Sequence, residues 1–333
     1  MGDRFEGNKH GDEGYVYNTY GSLKYLKYAV ASVETLRRYD KHRPAAIFCS
    51  KEHADYLEKP ELSPVFDHIF ILPENNRSIT GFKHNVCDFM PYQKNIYLDG
   101  DIVVCRNPDR LWRSLSAYGF TATGNHSADN FFGGPKGIGV VKDILLGRRK
   151  RTLKRFGITY LPRIQSGFMF AADYGQAKKV CDKASELLSN KSETHFRSRT
   201  EEEGRSEESC EWSLAMAMAV LEMQVYPWFN CYESVQLDFI DSFTEYDSDF
   251  ESVKCLYYTN KFVYNFRGFP IRWLQKLLIN IFTIFPGKGD YLYVTPYFLH
   301  FGWYHQKEPF YRLADKIWDR LLEGKQTVNR EVK

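Results

Sequence analysis

The chain has 333 residues, 43% of them hydrophobic and 26% charged. This is ordinary globular composition, and it excludes a disulfide-stapled miniprotein, a disordered chain and a collagenous or coiled-coil rod. Forty-five Lys and Arg against 42 Asp and Glu leave a net charge of +3, too slight for a basic nucleic-acid-binding surface, so no nucleic-acid partner is expected. Aromatic residues reach 16%; rings fill cores and also stack on sugars and bases, and composition alone does not choose between these uses.

In chain order, residues 1–13 are polar, lack the apolar core of a signal peptide and are expected to form a disordered leader. The seven cysteines include no CxxC pair, so reduced thiols and a cytoplasmic location are expected. GYVYNTYG from Gly14 reads as a strand. Leu23 to Tyr39 reads as a helix with Leu26, Ala29, Val30, Val33 and Leu36 on one face. RPAAIFCS is a second strand, KEHADYLEKPEL a polar helix, and FDHIFILPE a third strand closed by Pro73. A fourth strand, KNIYLDGDIVV, is expected to run unbroken from Lys94 to Val104. Strands alternating with helices predict an α/β domain built on a mostly parallel sheet.

Further on, RIQSGFMFAADYG reads as a turn into a strand, with a helix over 175–188. A charged, Ser-rich stretch over about 189–209 is expected to be a mobile loop. A helix follows at Cys210 to Met223, and then come Tyr- and Phe-rich segments expected to form short antiparallel strands. The run IRWLQKLLINIFTIF over 271–285 is the most apolar in the chain, yet it is shorter than the ~20 residues of a membrane span. It reads as a core-covering helix or, alternatively, as an interfacial helix in peripheral membrane contact through Trp273, Leu274 and Ile281. The basic run GRRKRTLKR, Arg148 to Arg155, would suit such docking or form a solvated face.

The chemistry concentrates in NIYLDGDIVV. Asp99 and Asp101 stand two apart at the end of an apolar strand, so in an extended chain both carboxylates project to one side and can share a cation. Gly100 between them lets a ligand approach the backbone. The carboxyl end of a parallel strand is also where open α/β sheets bind ligands. The natural partner of this pair is Mn²⁺ or Mg²⁺ carrying a substrate diphosphate.

An apolar strand running into Asp-x-Asp resembles the hallmark of GT-A-fold glycosyltransferases, and YLDGD is similar to the YLDAD of glycosyltransferase family 8, which includes glycogenin and galactinol synthase. Four further stretches resemble that family in order: YNTYGSLKYLKYAVASVETL, IQSGFMF, CEWSLAMAM and LHFGWYHQKEPF. The resemblance implies a GT-A domain over residues 14–310 with a helical C-terminal tail over 311–333. It implies a retaining transfer of a hexose or pentose from a UDP-sugar to a glycan or protein hydroxyl, with a homodimer left open.

By that resemblance Asp99, Asp101 and His300 hold the metal. Lys307 contacts the diphosphate, and Gly302 lets its loop close. Asn18, Thr19 and Tyr25 fall in the nucleotide element, and Lys83 faces phosphate or sugar. Gln165, Ser166, Gly167 and Glu211 surround the donor sugar, Glu211 being the candidate for a covalent intermediate unless attack occurs on the same face. The closing motif is one residue longer than the family pattern, so His305 competes with Lys307 for the phosphates. Glu211-Trp212 replaces the family's Asp-Gln, and in another register Cys210 takes the Asp position. A catalytically silent nucleotide-sugar- or glycan-binding relative is the alternative reading. A nucleotidyltransferase would need a Gly-rich basic loop after the first strand, which YNTYGSLKY lacks.

Overall fold

A computed structural model describes the chain apart from residues 1–4, 6–7, 129–137, 197, 202–203, 231–232, 267–268, 270, 286 and 332–333. Part of the expected leader therefore lies outside the described residues. The first half runs β1 (Glu13–Thr19), α1 (Leu23–Arg37), β2 (Ala45–Cys49), α2 (Lys51–Leu57), β3 (His68–Ile71), α3 (Ile79–Lys83), β4 (Lys94–Leu98) and β5 (Ile102–Val104). Next come α4 (Asp109–Leu115), β6 (Phe120–Asn125), α5 (Ile138–Leu145), α6 (Arg148–Arg155), β7 (Arg163–Ala171), α7 (Tyr174–Ser189) and α8 (Glu211–Val220). Short strands follow: β8 (Tyr226–Pro227), β9 (Phe229–Asn230), β10 (Glu233–Ser234), β11 (Gln236–Asp238), β12 (Thr244–Tyr246) and β13 (Val253–Tyr258). The chain closes with α9 (Arg272–Phe282), β14 (Tyr291–Val294), β15 (Phe298–His300) and α10 (Glu308–Glu331).

The main sheet has the order β3-β2-β1-β4-β7-β6-β8. Its left half and the β6–β8 edge are parallel, while β7 runs against both β4 and β6. This is the mixed α/β architecture with a mostly parallel sheet that the strand-helix alternation predicts. Side-chain alternation divides the core. Tyr15 and Tyr17 of β1 and Phe168 and Phe170 of β7 pack on one face with α1 and the start of α10. Val16, Tyr97 and Met169 pack on the other with α7 and α8. The helix boundaries have local causes: Ser50 caps α2 by accepting from His53 N–H, and Asp173 caps α7 by accepting from Gln176 N–H. The largest fully buried side chains are Trp112, Trp212 and a set of Tyr and Phe, so much of the aromatic excess is core.

Three expectations about the strands change. The strand expected over Lys94 to Val104 is broken: β4 ends at Leu98 and β5 begins at Ile102, with Asp99, Gly100 and Asp101 in the turn between them. The cause is a change of partner. Asp99 N–H still bonds Gly167 O at 3.0 Å beside β7, whereas β5 leaves the main sheet to pair antiparallel with β15. The late segments are not uniformly antiparallel, because β8 joins β6 and β11 joins β15 in parallel. Lys261–Phe266, the end of KCLYYTNKFVYNF and one of the Tyr- and Phe-rich segments read as strand, is a 3₁₀ turn.

The C-terminal helix packs on the core at its start. Phe310, Leu313, Ala314 and Ile317 are buried in the core that includes α1. In the stretch expected to be mobile, the Glu208 carboxylate accepts from Lys191 Nζ at 2.8 Å, Arg199 N–H at 3.1 Å and Thr200 N–H at 3.2 Å, which ties the loop to itself among the described residues. The six described cysteines are unpaired and buried.

Candidate metal and nucleotide site

The turn after β4 is held from both sides. Beside the Asp99 contact to Gly167 O, Phe301 N–H bonds Asp101 O at 2.9 Å. This fixes His300, the last residue of β15, against the turn. Asp99, Asp101 and His300 each present a ligand atom within 4.8 Å of the others, and His300 Nε2 lies 3.4 Å from Asp101 Oδ1 and 3.9 Å from Asp99 Oδ2. The two carboxylates converge through this turn and not through strand alternation. Two carboxylates and an imidazole form a donor set suited to a hard or borderline divalent ion such as Mg²⁺ or Mn²⁺.

Gly100 also has a packing role. A Cβ there would meet Ala29 N at 3.3 Å and its Cα at 3.5 Å, so the glycine lets the turn pack on α1. Gly302 has the analogous role over the histidine: a Cβ would stand 2.7 Å from His300 Cε1. Beside Gly167, by contrast, the neighbours of a Cβ would be the Gln236 amide at 3.0 Å and Asp99 Oδ2 at 3.4 Å.

Two lysines from opposite ends of the chain occupy the carboxylates. Lys83, at the end of α3, places Nζ 2.8 Å and 3.0 Å from the two Asp99 oxygens and 3.1 Å from Ser166 Oγ. Lys307, just before α10, places Nζ 2.5 Å from Asp101 Oδ2. Of the two candidates in the closing motif, Lys307 reaches the cluster. His305 instead lines a cleft of about 500 Å³ with Asp241, Tyr246, Arg272 and Gln306.

A third carboxylate, Asp238 on β11, was not singled out from the sequence. Its Oδ1 lies 2.9 Å from His300 Nδ1 and also accepts from the Gln165 amide. A carboxylate on Nδ1 fixes the imidazole tautomer and turns Nε2 toward the aspartates, the usual support of a metal-binding histidine. The only signal for Asp238 in the sequence is the fragment VQLDF, whose strand is three residues long and pairs with β15 from about 60 residues away.

The electrostatics follow from these contacts. Burial favours the neutral Asp101, but the charges of His300 and Lys307 and their hydrogen bonds outweigh it and hold its carboxyl well below the usual range. Burial would lower His300, yet Asp101 and Asp238 raise it to about 10. Burial would likewise lower Lys83 and the half-buried Lys307, yet Asp99 and Asp101 respectively raise them above the ordinary lysine value. Three carboxylates thus face two ammonium groups and an imidazolium. Opposite charges are paired at each aspartate, and a metal ion held by Asp99, Asp101 and His300 would have to compete with the two ammonium groups and the imidazole proton.

The remaining candidates divide into three groups. Ser166 on β7 contacts Lys83, Cys210 Sγ at 3.3 Å and Glu211 Oε1 at 3.3 Å, so Gln165, Ser166, Gly167 and Glu211 adjoin the cluster. Trp212 does not face this pocket; it is 1% exposed and stacks on Phe196 with ring centroids 4.8 Å apart. Tyr25 is 47% exposed and meets Tyr28 edge-on at 6.0 Å. Asn18 and Thr19 end β1 beside β2, where Thr19 Oγ1 is 3.0 Å from His53 Nδ1, and no contact joins them to the aspartates among the described residues.

No family model matches the chain, and no curated relative does. Among solved structures, the glycosyltransferase GlyE of Streptococcus pneumoniae is similar at 14% identity and a TM-score of 0.46 over 93% of this chain and 60% of that one. The galactosyltransferase LgtC in complex with donor and acceptor sugar analogs is similar at 12% identity and a TM-score of 0.39, over 66% of this chain and 74% of that one. Mouse xyloside xylosyltransferase 1 is similar at 11% and 0.41, over 68% and 87%. The chain thus spans about 60% of the length of GlyE. At these TM-scores the likeness carries no argument, and the chemistry rests on the residues described above.

Proposed function

We propose that residues 14–310 form a GT-A-type glycosyltransferase domain that moves a hexose or pentose from a UDP-sugar to a hydroxyl of a glycan or protein acceptor. The observation that carries this reading is the convergence of Asp99, Asp101 and His300 from two distant segments, with Lys83 and Lys307 seated on the two aspartates. A diphosphate substrate needs cationic groups on its oxygens, and a divalent ion needs an anionic socket; this cluster supplies both from side chains that reach one point.

Asp99, Asp101 and His300 would hold the metal, Mn²⁺ or Mg²⁺, which when bound supplies Lewis-acid stabilisation of the departing diphosphate. With a metal bound and the imidazole neutral, Asp238 would hold the Nδ1 proton and leave the Nε2 lone pair for the ion. Once displaced from the carboxylates, Lys307 and Lys83 are free to bond phosphate oxygens and stabilise the charge that develops there. Tyr25 would contact the nucleotide, and Asn18 and Thr19 belong to that element by resemblance. Gln165, Ser166 and Gly167 would position the donor sugar. Glu211, held by Ser166 and Ser209, is the carboxylate available on the sugar side, either to take up the anomeric carbon or to stabilise positive charge on the ring during same-face attack. In both cases the configuration is retained. The acceptor hydroxyl would enter from the cleft beside His305 and Gln306, the residues adjoining Lys307.

The test is to incubate the protein with Mn²⁺ and UDP-glucose, UDP-galactose, UDP-xylose or UDP-N-acetylglucosamine and to measure released UDP. The reading expects Mn²⁺-dependent release from at least one donor and none from a folded Asp101→Asn variant. Absence of both turnover and binding would refute it. Donor binding without turnover would instead establish the silent-relative reading, which Trp212 in the core favours because it leaves no amide where the family carries Gln.

A further inference from the structure

Helix α9 is packed inside out. Its buried row is Gln275 and Ile279, while the row Trp273, Leu277 and Ile281, one turn apart each time, faces solvent. Gln275 is satisfied inside, donating to Phe266 O at 3.0 Å and accepting from Ser242. An amphipathic helix covering a core would show the opposite arrangement. The apolar surface continues past the helix: Trp273 is 67% exposed, Ile284 79% and Phe285 91%. Side chains standing this clear of the surface suit insertion into a soft medium.

The charge pattern beside this surface selects the medium. Helix α9 contains no acidic residue and carries Arg272 and Lys276. Together with Lys288 and Tyr293 they line a cavity of about 270 Å³, in which the acid is Glu245. Arg272 is partly engaged by Asp241 at 3.4 Å, and Lys288 donates to Asn280 at 2.6 Å. The eleven-residue helix is about 16 Å long, half of the ~30 Å hydrocarbon layer. It therefore has the length to lie in an interface and not to cross one.

We infer that α9 and residues 283–285 form a docking face for an anionic lipid bilayer, with Trp273, Ile281 and Phe285 entering the acyl boundary and Arg272, Lys276 and Lys288 meeting lipid phosphates. This does not depend on the glycosyl-transfer reading, because the face contains none of the residues placed on the metal, the nucleotide or the donor sugar. It does bring the bilayer beside the larger cleft, since Arg272 and Gln275 line that cleft as well.

The test is flotation of the full chain with phosphatidylcholine vesicles and with vesicles in which part of that lipid is replaced by phosphatidylglycerol. Binding to the anionic vesicles is expected, weakened by salt. The triple variant Trp273→Ser, Ile281→Ser, Phe285→Ser should reduce it roughly tenfold or more with an unchanged far-UV circular dichroism spectrum. A Leu145→Ser variant, altering another exposed apolar side chain, should bind as wild type. Brominated lipid should quench wild-type tryptophan fluorescence, and that quenching should fall in Trp273→Phe. Failure to float, or flotation that survives the triple variant, overturns the inference. A wild-type dimer that the triple variant converts to monomer, without lipid binding, would assign the face to a second copy of the chain and overturn it equally.

Discussion

Replacing Lys307 by Met should change metal and nucleotide affinity in opposite directions. Lys307 Nζ sits 2.5 Å from Asp101 Oδ2, and the two side chains are 17% and 15% exposed. A hydrogen bond between charged groups at this level of burial contributes roughly 1.5–3 kcal/mol, and a metal ion using Asp101 must first break it. Methionine fills similar volume without the charge, so Mn²⁺ alone should bind roughly 10- to 100-fold more tightly to Lys307→Met than to wild type. Removing a positive charge from the surroundings of a dication acts in the same direction. UDP measured in saturating Mn²⁺ should bind about tenfold or more weakly, because a charge-assisted contact to phosphate is gone. Isothermal titration calorimetry with Mn²⁺, then with UDP, reads both quantities. General damage to the site would weaken both ligands. Unchanged or weaker Mn²⁺ binding in the variant would therefore refute the idea that this lysine occupies the metal's place.

Three further outcomes are expected. Asp238→Asn should lower Mn²⁺ affinity about 10- to 100-fold, the usual effect of removing the carboxylate behind a ligating histidine, and calorimetry showing wild-type affinity would contradict that role. Gly302→Ala places a methyl group 2.7 Å from His300 Cε1 and should abolish tight Mn²⁺ binding while leaving the melting temperature within a few degrees of wild type; retained tight binding would contradict it.

Glu208 is buried enough to favour its neutral form, but Lys191, Ser198 and Thr200 overcome this and hold its carboxyl well below the usual range. Its folded value is depressed, so its contribution is fully present above the ordinary glutamate pKa of about 4.3 and is lost as pH falls through the folded value. Glu208→Gln should accordingly speed limited proteolysis of the 191–209 segment at pH 7. The difference from wild type should shrink under acid, and a gap that widens under acid would reverse the sign.

Much of the parallel half of the sheet is legible in the sequence, because β1, β2 and β4 are buried on both faces and read as apolar runs. Helix α1 is legible for a related reason: its apolar positions fall at helical spacing, and the same five residues are buried in the structure. The aspartates stand out because an apolar strand ends in two acids. What the sequence does not reveal is that the strand breaks between them, since β5 is as apolar as β4 and only its pairing with β15, nearly 200 residues later, withdraws it from the main sheet.

Asp238 is illegible for the same reason, as no local period marks a strand of three residues. That Gly100 also lets the turn pack on Ala29 of α1 is likewise a tertiary fact that spacing does not show. Helix α9 marks a different limit. Its hydrophobicity is plain in the sequence, but composition does not say whether an apolar stripe faces the core or solvent.

The measurement closest to the central claim is a crystal structure of the protein grown or soaked with Mn²⁺ and UDP, with data collected for manganese anomalous scattering. The account predicts a single strong anomalous peak at about 2 Å from Asp101, His300 Nε2 and Asp99 carboxylate oxygens, with the diphosphate on the ion and Lys307 moved from Asp101 to a phosphate oxygen. Nucleotide bound elsewhere, or bound at the cluster with no anomalous peak and Lys307 still on Asp101, would contradict it.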